Sequence, residues 1–375
     1  MKFFDPKPEY LLCQKAIDAA IKNVVDKADF IMGSEVDKFE EEVISYLNPE
    51  GSLYALAVSS GTDALLLALY ALDLKEGDEV ITTPFTFIAT VETIVQAGAK
   101  PVFVDIDSLT LNLDPDKVND AITDKTRAII PVHLFGLSVA MEVIQKLAVT
   151  HGLTVIEDAA QSMGATFNGK HVGTIGDFGC FSFFPSKNLG GFGDAGLVTC
   201  KNKEDYDTLK ALRTHGSLQK YEHSMIGFNA RMDTLQAAVL SVKLPRLERW
   251  IEQRRIIAQR YIEAFKGIEG IQCPVEPEGY RHTYNQFSIC VESRNDLQAH
   301  LNEQNIPSAI YYPKPLHLQE AFANLGNKEG SFPVSEYISH KILALPVYPY
   351  FSKDNQTQVI EQILAYVGAQ SCTKY

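Results

Sequence analysis

The chain has 375 residues, of which 46% are apolar and 22% charged, which is typical of a soluble globular protein large enough for two domains. The formal net charge of −13 argues against a nucleic-acid partner, while a locally positive pocket for an anionic small ligand remains possible. The six cysteines form no C-x-x-C pair, no apolar run is long enough to span a membrane, and the N-terminus resembles no signal peptide. These features predict a cytoplasmic protein with no membrane partner.

From about residue 54, short apolar runs alternate with amphipathic helical stretches. Strands are predicted, in chain order, at LYALAVS, DEVITT, KPVFVDI, RAIIPVHLF, LTVIEDA, GCFSFF and AGLVTC. Helices are predicted to begin at Thr62, Phe87, Asp116, Val139 and Asp205. The alternation predicts the α/β class, with a mostly parallel seven-stranded sheet covered on both faces. Ligands of such sheets usually bind where the strands run into the helices.

The pattern changes after Asp233. One long helical stretch covers residues 232–266, and Pro245 is predicted to kink it. Short strands and helices follow from about residue 268 to the C-terminus. We therefore predict a large α/β domain over residues 1–245, including an N-terminal helical segment, and a smaller α+β domain over residues 246–375. The first 30 residues are expected to pack on the small domain or on a partner chain.

The segment GFGDAG, residues 191–196, has the G-x-G-x-x-G spacing of a dinucleotide-binding loop. That motif needs a helix directly after it, whereas the following LVTC is β-branched and apolar, and a helix begins only near Asp205. The context therefore argues against a nicotinamide cofactor, although an NAD-dependent enzyme remains a competing hypothesis. We expect the glycines to form a loop or to let the backbone pass close to a neighbour.

One lysine, Lys187, stands in the apolar and glycine-rich run FSFFPSKNLGG. A surface lysine is the simplest interpretation, but burial at a strand end would lower its pKa and make the amine a nucleophile. The run VIEDAAQS brings Glu157 and Asp158 to the end of an earlier strand, where only one of the two can face a site. The histidine and acid spacings indicate no metal site. An acid combined with a strand-end lysine favours pyridoxal phosphate, whose ring nitrogen the acid keeps protonated.

The run AVSSGTDALLLAL supplies candidate phosphate donors. A strand leads into Ser59, Ser60, Gly61 and Thr62, where a helix with free N–H groups begins. An ordinary N-cap would explain one hydroxyl. Three hydroxyls and a glycine at one strand–helix junction favour an anion site.

Taken together, these segments resemble the DegT/StrS-type sugar-nucleotide aminotransferases, which are fold-type I pyridoxal-phosphate enzymes of the aspartate aminotransferase superfamily. The resemblance spans nearly the whole chain in the right order. It rests on SSGTDALLLAL, TPFTFIATVE, PVHLFG, VIEDAAQSMGA, FSFFPSKNLGGFGDAG, GFNARMDTLQAAVL and YYPKPLHLQ.

The resemblance implies roles for individual residues around the cofactor. Lys187 matches the family's Schiff-base lysine, Asp158 the acid at the pyridine nitrogen, and Gln161 the residue at the ring hydroxyl. Phe87 matches the aromatic side chain stacked on the ring. The phosphate ligands are matched by Ser60, Gly61, Thr62 and Ser182.

The resemblance also implies a homodimer with shared active sites. Asn229 matches a residue that reaches the phosphate of the other subunit, and Arg231 would face the substrate there. Further substrate-binding residues are expected at Tyr311, Tyr312 and His317. The segment RTHGS, residues 213–217, resembles a family segment near the pocket without a defined role.

The sequence around Lys187 narrows the implied substrate. Family members acting on 4-keto sugars often carry a histidine two or three residues before the lysine and GEGG after it, whereas this chain has GDAG, as in the branch that aminates 3-keto sugars. The run ARMDTLQAA is similar to enzymes that make UDP-3-amino-GlcNAc-uronate, and Arg231 could form a fork with a uronate carboxylate. Tyr311 stands where some uronate-specific members have histidine, which keeps a 3-keto-6-deoxyhexose open.

The expected function is therefore amino transfer from L-glutamate to a nucleotide-linked 3-keto sugar, with UDP-2-acetamido-2-deoxy-3-oxo-glucuronate as the best match, for lipopolysaccharide or other surface polysaccharide biosynthesis. A dTDP- or UDP-linked 3-keto or 4-keto 6-deoxyhexose is the alternative substrate. A non-enzymatic regulator and a pyridoxal-dependent sugar dehydratase are the remaining hypotheses. That dehydratase subgroup has histidine in place of the lysine.

Overall fold

The structure is a computed structural model that describes residues 1–48, 51–217, 219 and 221–372. Its α-helices are α1 (Lys7–Lys27), α2 (Ser34–Leu47), α3 (Gly61–Ala71), α4 (Ala89–Gln96), α5 (Pro115–Ala121), α6 (Met141–His151), α7 (Lys203–Arg213), α8 (Thr234–Lys243), α9 (Leu247–Phe265), α10 (Arg294–Glu303), α11 (Pro333–Lys341) and α12 (Lys353–Cys372). Its strands are β1 (Tyr54–Val58), β2 (Glu79–Thr82), β3 (Lys100–Phe103), β4 (Thr126–Ile129), β5 (Thr154–Asp158), β6 (Thr166–Phe167), β7 (Lys170–His171), β8 (Phe178–Ser182), β9 (Gly196–Cys200), β10 (Ile271–Gln272), β11 (Tyr280–Arg281), β12 (Phe287–Val291) and β13 (Ile342–Leu345).

The main sheet has seven strands in the order β1-β9-β8-β5-β4-β2-β3. Strand β9 runs antiparallel to both of its neighbours, and the remaining pairs are parallel. The seven strands are those expected from the sequence, so the prediction of a mostly parallel seven-stranded sheet is confirmed. The five helices expected between them begin within two residues of the predicted starts.

Alternating residues of the strands supply two separate cores. On β8 and β9, Phe181 and Leu197 pack on one face against α2 and α8. Their neighbours Cys180 and Val198 pack on the other face against α3 and α7. Because both faces are covered, these strands read as continuous apolar runs in the sequence.

The strand order brings the ends of distant segments together. Asp158, the last residue of β5, pairs with Cys180 of β8, and Val58, the last residue of β1, pairs with Gly196 of β9. The loops after β1, β5 and β8 therefore meet at one edge of the sheet. This is the edge where ligands of α/β sheets usually bind.

The C-terminal part forms a smaller α+β unit. Its antiparallel sheet has the order β10-β12-β13. The long helical stretch predicted over residues 232–266 is divided into α8 and α9 by a 3₁₀ turn, Leu244–Arg246, which contains Pro245. The α-helix is therefore interrupted at the predicted position of the kink, and the domain boundary at residue 245, which falls within this turn, stays a prediction.

The N-terminal segment contacts both parts of the chain. Helix α1 packs on α8, while Phe4 lies against Tyr348 with ring centroids 6.2 Å apart, beside the small sheet. Among the described residues, no helix has the length and apolar character needed to cross a membrane.

Candidate active site

A cavity of about 690 Å³ opens at the sheet edge where β1, β5 and β8 end. The predicted site residues that line it are Ser60, Gly61, Thr62, Phe87, Asp158, Gln161, Ser182, Lys187, Tyr311 and Tyr312. The fold thus gathers into one cavity residues that lie up to about 250 positions apart in the chain.

Lys187 follows β8 in a tight turn, in which its backbone N–H donates to the Phe184 carbonyl at 2.8 Å. The side chain is half-buried on the cavity wall. Burial lowers the pKa of the Lys187 amine to about 8, although the charge of Asp158 acts in the opposite direction. A larger fraction of this amine is therefore neutral near pH 8 than for an exposed lysine.

Asp158 is almost completely buried, with 5% of its surface exposed. One carboxylate oxygen accepts a hydrogen bond from the Thr90 hydroxyl at 2.8 Å, and the other accepts from the Ala160 N–H at 3.1 Å. Burial raises the pKa of Asp158, while the two donors and the Lys187 charge oppose that rise. The carboxylate is thus oriented from two sides at the base of the cavity.

Glu157 points to the opposite side of β5, as strand geometry requires. Its carboxylate accepts backbone N–H bonds from Gly173, Ile175 and Gly176 at 2.6–2.8 Å, and it lies 2.8 Å from Nε2 of His133. These contacts give Glu157 a structural role. Of the two acids in VIEDAAQS, Asp158 is the one that faces the cavity.

The turn between β1 and α3 has the geometry of an anion site. The Ser60 hydroxyl caps α3 by accepting from the Asp63 N–H at 3.0 Å, so the ordinary N-cap is also present. The N–H groups of Gly61 and Thr62 belong to the first turn of α3 and have no intrahelical acceptor. Gly61, Thr62 and Ser182 all line the cavity. A phosphate group fits this set of donors.

Two glycines allow this turn to approach its neighbours closely. A Cβ on Gly61 would lie 2.7 Å from the Ser182 Cβ, and a Cβ on Gly196 would lie 2.3 Å from the Ser60 carbonyl carbon. Gly196 is the last glycine of GFGDAG, which leads directly into β9. Gly196 therefore allows β9 to pass close to the turn between β1 and α3, a role that requires no dinucleotide.

Gln161 connects the large domain to the C-terminal part of the chain. Its side-chain oxygen accepts from the Phe135 N–H at 2.8 Å, and its amide nitrogen donates to the Tyr312 hydroxyl at 3.1 Å. Burial raises the pKa of Tyr312. Tyr312, predicted from the sequence as a substrate ligand, thus also holds Gln161 in place on the cavity wall.

Three predicted site residues do not line the cavity of a single chain. Asn229 accepts from the Arg231 guanidinium at 2.7 and 3.0 Å on a partly exposed segment. His317 is buried, with Nε2 at 2.9 Å from Glu336. The roles of these residues in the cofactor or substrate site stay predictions.

The RTHGS segment also lies outside the cavity. The buried Arg213 side chain donates to Glu40 of α2 and to the Ala57 carbonyl of β1, both at 2.9 Å. The backbone N–H of His215 donates to the Phe228 carbonyl at 2.9 Å. The Arg213 contacts hold α2 against the main sheet, which is a structural role.

Sequence reasoning missed several residues of the cavity wall. Thr86, Thr90, Asp194, Asn285 and Gln286 line it as well. Thr90 is the second residue of α4, and Thr86 lies in the turn just before that helix. These two hydroxyls, close to Phe87, were the available signal.

This combination of a sheet-edge lysine, a buried acid and a phosphate turn defines a fold-type I pyridoxal-phosphate-dependent transferase. The sequence profile of the DegT/DnrJ/EryC1/StrS aminotransferase family matches residues 12–364, and the chain belongs to this family. Enzymes of this family depend on pyridoxal 5′-phosphate, and the cavity residues fit that cofactor. The chain is accordingly a pyridoxal-phosphate-dependent sugar-nucleotide aminotransferase.

The chain is similar to several curated proteins over nearly its whole length. It is 44% identical to a pleiotropic regulatory protein of Geobacillus stearothermophilus, covering 96% of this chain and 97% of the relative. It is 42% identical to a UDP-N-acetyl-3-dehydro-α-D-glucosamine 3-aminotransferase of Acidithiobacillus ferrooxidans, covering 95% of each chain. It is 38% identical to a UDP-2-acetamido-2-deoxy-3-oxo-D-glucuronate aminotransferase of Pseudomonas aeruginosa, covering 93% and 96%.

Solved structures show the same fold. DesV of S. venezuelae superposes with a TM-score of 0.95 at 38% identity, covering 98% of each chain. NtdA of Bacillus subtilis, solved with bound cofactor PMP, superposes with a TM-score of 0.89 at 32% identity, covering 95% of this chain and 82% of the other.

Proposed function

We propose that this enzyme moves the amino group of L-glutamate to the C3 carbonyl of a nucleotide-linked sugar, UDP-2-acetamido-2-deoxy-3-oxo-glucuronate, for surface polysaccharide biosynthesis in the cytoplasm. Glutamate leaves as 2-oxoglutarate, whose keto oxygen comes from one water, and the sugar carbonyl oxygen is released as another, so the overall transfer forms no net water. The observation that carries the proposal is the Lys187 amine, with a pKa of about 8, beside buried Asp158 in one cavity.

The chain's own residues divide the work of this transfer. Bound pyridoxal phosphate supplies an electron sink for carbon–hydrogen bond cleavage. Lys187 holds the cofactor and, once released, accepts a proton at Nζ and returns it to the neighbouring carbon. Asp158 keeps a proton on the ring nitrogen, and the first turn of α3 with Ser182 holds the phosphate. Phe87 would stack on the ring and Gln161 would contact its hydroxyl, the roles that the family resemblance implies, and both residues line the cavity.

Amination at C3 of the sugar is supported by two relatives and by the loop after Lys187. Both UDP-sugar relatives named above act at this position according to their names. The segment GDAG, which accompanies amination of 3-keto sugars in the family, lies at the cavity, where Asp194 is a lining residue. Because Asp194 and Lys187 line the same cavity, we infer that this loop contacts the bound sugar.

The assignment of a uronate as the substrate rests on Arg231, and it requires that the enzyme is a dimer. Of the described residues that line the cavity, Lys187 is the one cation, while Asp158 and Asp194 are acids. A substrate with two phosphates and a carboxylate therefore needs positive charge from outside a single chain. In the homodimer we propose, the partner subunit's Arg231 supplies it, and the partner subunit's Asn229 contacts the cofactor phosphate.

Tyr311 favours the alternative substrate, a dTDP- or UDP-linked 3-keto or 4-keto 6-deoxyhexose. It lines the cavity with a neutral side chain where some uronate-specific family members have histidine. A sugar without a carboxylate would need no cation there. The two substrates thus differ in their dependence on Arg231.

A substrate panel with L-glutamate as donor tests the proposal. The panel contains the UDP-linked 3-keto uronate, the UDP-linked 3-keto N-acetylglucosamine, and 3-keto and 4-keto 6-deoxyhexoses on UDP and dTDP. Formation of 2-oxoglutarate and the amino sugar is followed by mass spectrometry. We expect the highest kcat/KM with the uronate. Amination of a 4-keto sugar alone would overturn the assignment to C3, and equal rates for uronate and non-uronate sugars would overturn the carboxylate recognition.

A further inference from the structure

Two buried threonines link the wall of the cavity to Asp158. Thr90, the second residue of α4, is fully buried, and its hydroxyl donates to Asp158 Oδ2 at 2.8 Å. The hydroxyl of Thr86, also buried, lies 3.1 Å from the Thr90 hydroxyl oxygen. Together these residues form a hydroxyl relay, Thr86–Thr90–Asp158, along one side of the cavity.

The direction of this relay follows from the number of protons available. A threonine hydroxyl has one proton to donate, and that of Thr90 is used by Asp158 when the carboxylate is ionised. Thr86 must then donate to the Thr90 oxygen, which makes the Thr90 proton a better donor. The relay therefore favours the ionised form of Asp158, in which both carboxylate oxygens accept hydrogen bonds.

We propose that Thr90, supported by Thr86, is a positioning residue that keeps Asp158 ionised and oriented toward the ring nitrogen of the cofactor. The inference rests on the proposed role of Asp158. Without the Thr90 hydroxyl, the buried carboxylate would lose one of these two hydrogen-bond donors and keep the Ala160 N–H. The proton shared between Asp158 and the ring nitrogen would then shift toward Asp158, and the ring would become a weaker electron sink.

Other ionisable groups that act on Asp158 come from several elements. Lys187 after β8 and His133 after β4 favour its ionised form. Tyr312 and Cys180 interact with its charge as well. A change at Thr90 leaves all four groups in place, so a shift in pH behaviour can be assigned to the hydroxyl.

The test compares four variants of the enzyme loaded with pyridoxal phosphate. Thr90→Val removes the hydroxyl at nearly constant volume, and Thr90→Ser keeps it. Thr86→Val removes only the second hydroxyl. Thr93→Val is the matched control, because Thr93 is a buried threonine of the same helix whose hydroxyl bonds only to the carbonyls of Ala89 and Thr90 in the described structure.

Two readouts separate positioning from general damage. The first is kcat for amino transfer, which we expect Thr90→Val to lower by about 10- to 100-fold, the range for losing a hydrogen bond to a charged group. The second is the pH at which the absorbance of the bound cofactor changes. We expect this pH to rise in Thr90→Val. A ring with less positive charge repels the proton on the Lys187 nitrogen more weakly, so that proton is lost only at higher pH.

We expect Thr90→Ser to restore both readouts to within about threefold or a few tenths of a pH unit, and Thr86→Val to give a smaller change in the same direction. The inference is overturned if Thr90→Val matches Thr93→Val in both readouts. If Thr90→Val does not fold, the same decision rests on Thr86→Val against Thr93→Val. Asp158→Asn serves as the reference. If the absorbance titration of Asp158→Asn is unchanged, the proposed role of Asp158 itself is contradicted. If that titration changes while Thr90→Val has no effect, the relay alone is contradicted.

Discussion

The two sides of the cavity differ in how far one chain completes them. On the side formed by β5, α3 and α4, Asp158, Gln161 and Ser60 all have hydrogen-bond partners within the chain. The other side is lined by Asp194 and Tyr311, and Arg231, the cation proposed for the substrate, bonds to Asn229 on a segment outside the cavity. We propose that the first side holds the cofactor and that the second receives the substrate.

The difference between these sides is one of rigidity and charge. The cofactor side fixes its groups before any ligand binds, so little reorganisation is needed when charge develops. The substrate side of one chain is acidic at Asp194 and has no cation among its described lining residues except Lys187. We therefore expect changes on the cofactor side to affect every substrate, and changes on the substrate side to affect the sugar more than glutamate.

The largest effect is expected from Lys187→Ala. Loss of the amine removes both the cofactor link and the group that moves the proton, so essentially all turnover should be lost. Turnover of glutamate and of the keto sugar would be measured separately. Lys170→Ala, a change at an exposed lysine of β7, is the control and should retain the activity of the unaltered enzyme. Substantial activity in Lys187→Ala would exclude it as the catalytic amine.

Asp158→Asn should be the next most severe change. A neutral amide does not stabilise a proton on the ring nitrogen, so both half-reactions should slow by about three powers of ten, or about 4 kcal/mol of barrier. Asp105→Asn is a matched control, because Asp105 is buried, accepts a hydrogen bond from Ser335 and is not one of the residues that line the cavity. A loss in kcat of similar size in both variants would indicate damage to folding and argue against a catalytic role.

Arg231→Ala tests the shared site and should have a smaller effect. We expect kcat/KM for the sugar to fall about 10- to 100-fold, the range for a hydrogen bond between charged groups, with the glutamate half-reaction little changed. Mixing this variant with Lys187→Ala then decides the geometry. If Arg231 acts across the interface, random mixed dimers contain one intact site, and about a quarter of the full activity returns. No recovery would show that Arg231 acts within its own chain.

The smallest effect concerns pH. Because burial lowers the pKa of the free Lys187 amine to about 8, capture of pyridoxal phosphate by the cofactor-free enzyme should accelerate as pH rises toward 8 and level off above it. Asp158 raises this pKa, so the levelling should begin at lower pH in Asp158→Asn. Between pH 8 and 10.5 the Lys187 amine is less protonated in the native chain than in the unfolded chain. Because of this difference, the contribution of Lys187 to the free energy of unfolding rises with pH across that window. A capture rate that still rises tenfold per unit at pH 10 would contradict the lowered pKa.

Much of the fold was predictable because the strands of the main sheet are buried on both faces and the helices between them are amphipathic. Lys187, Asp158 and the Gly61–Thr62 turn were predictable for a related reason, since each stands where a strand ends. Gln161 and Phe87 were found only through the family resemblance. Gln161 is held by contacts with Tyr312 and Phe135, and Phe87 lies in the loop before α4. No local sequence pattern encodes either position.

The relay of Thr86 and Thr90 was missed because hydroxyls in and just before the first turn of a helix resemble ordinary capping until their partners are known. Asp158 is 68 residues away from Thr90, and only the parallel strand order brings the two together. His317 shows the opposite case. The family resemblance implies that it is a substrate ligand, which stays a prediction, while within the chain it contacts Glu336 and Phe332.

The central claim is that Lys187 is the residue that holds the cofactor. The purified enzyme should be yellow, and borohydride should remove the colour by fixing the cofactor covalently on one lysine. Digestion and mass spectrometry then identify the labelled position. Label on Lys187, in the peptide that contains FSFFPSKNLGG, is the predicted result. Label on any other lysine, or a colourless enzyme that carries NAD, would contradict the account.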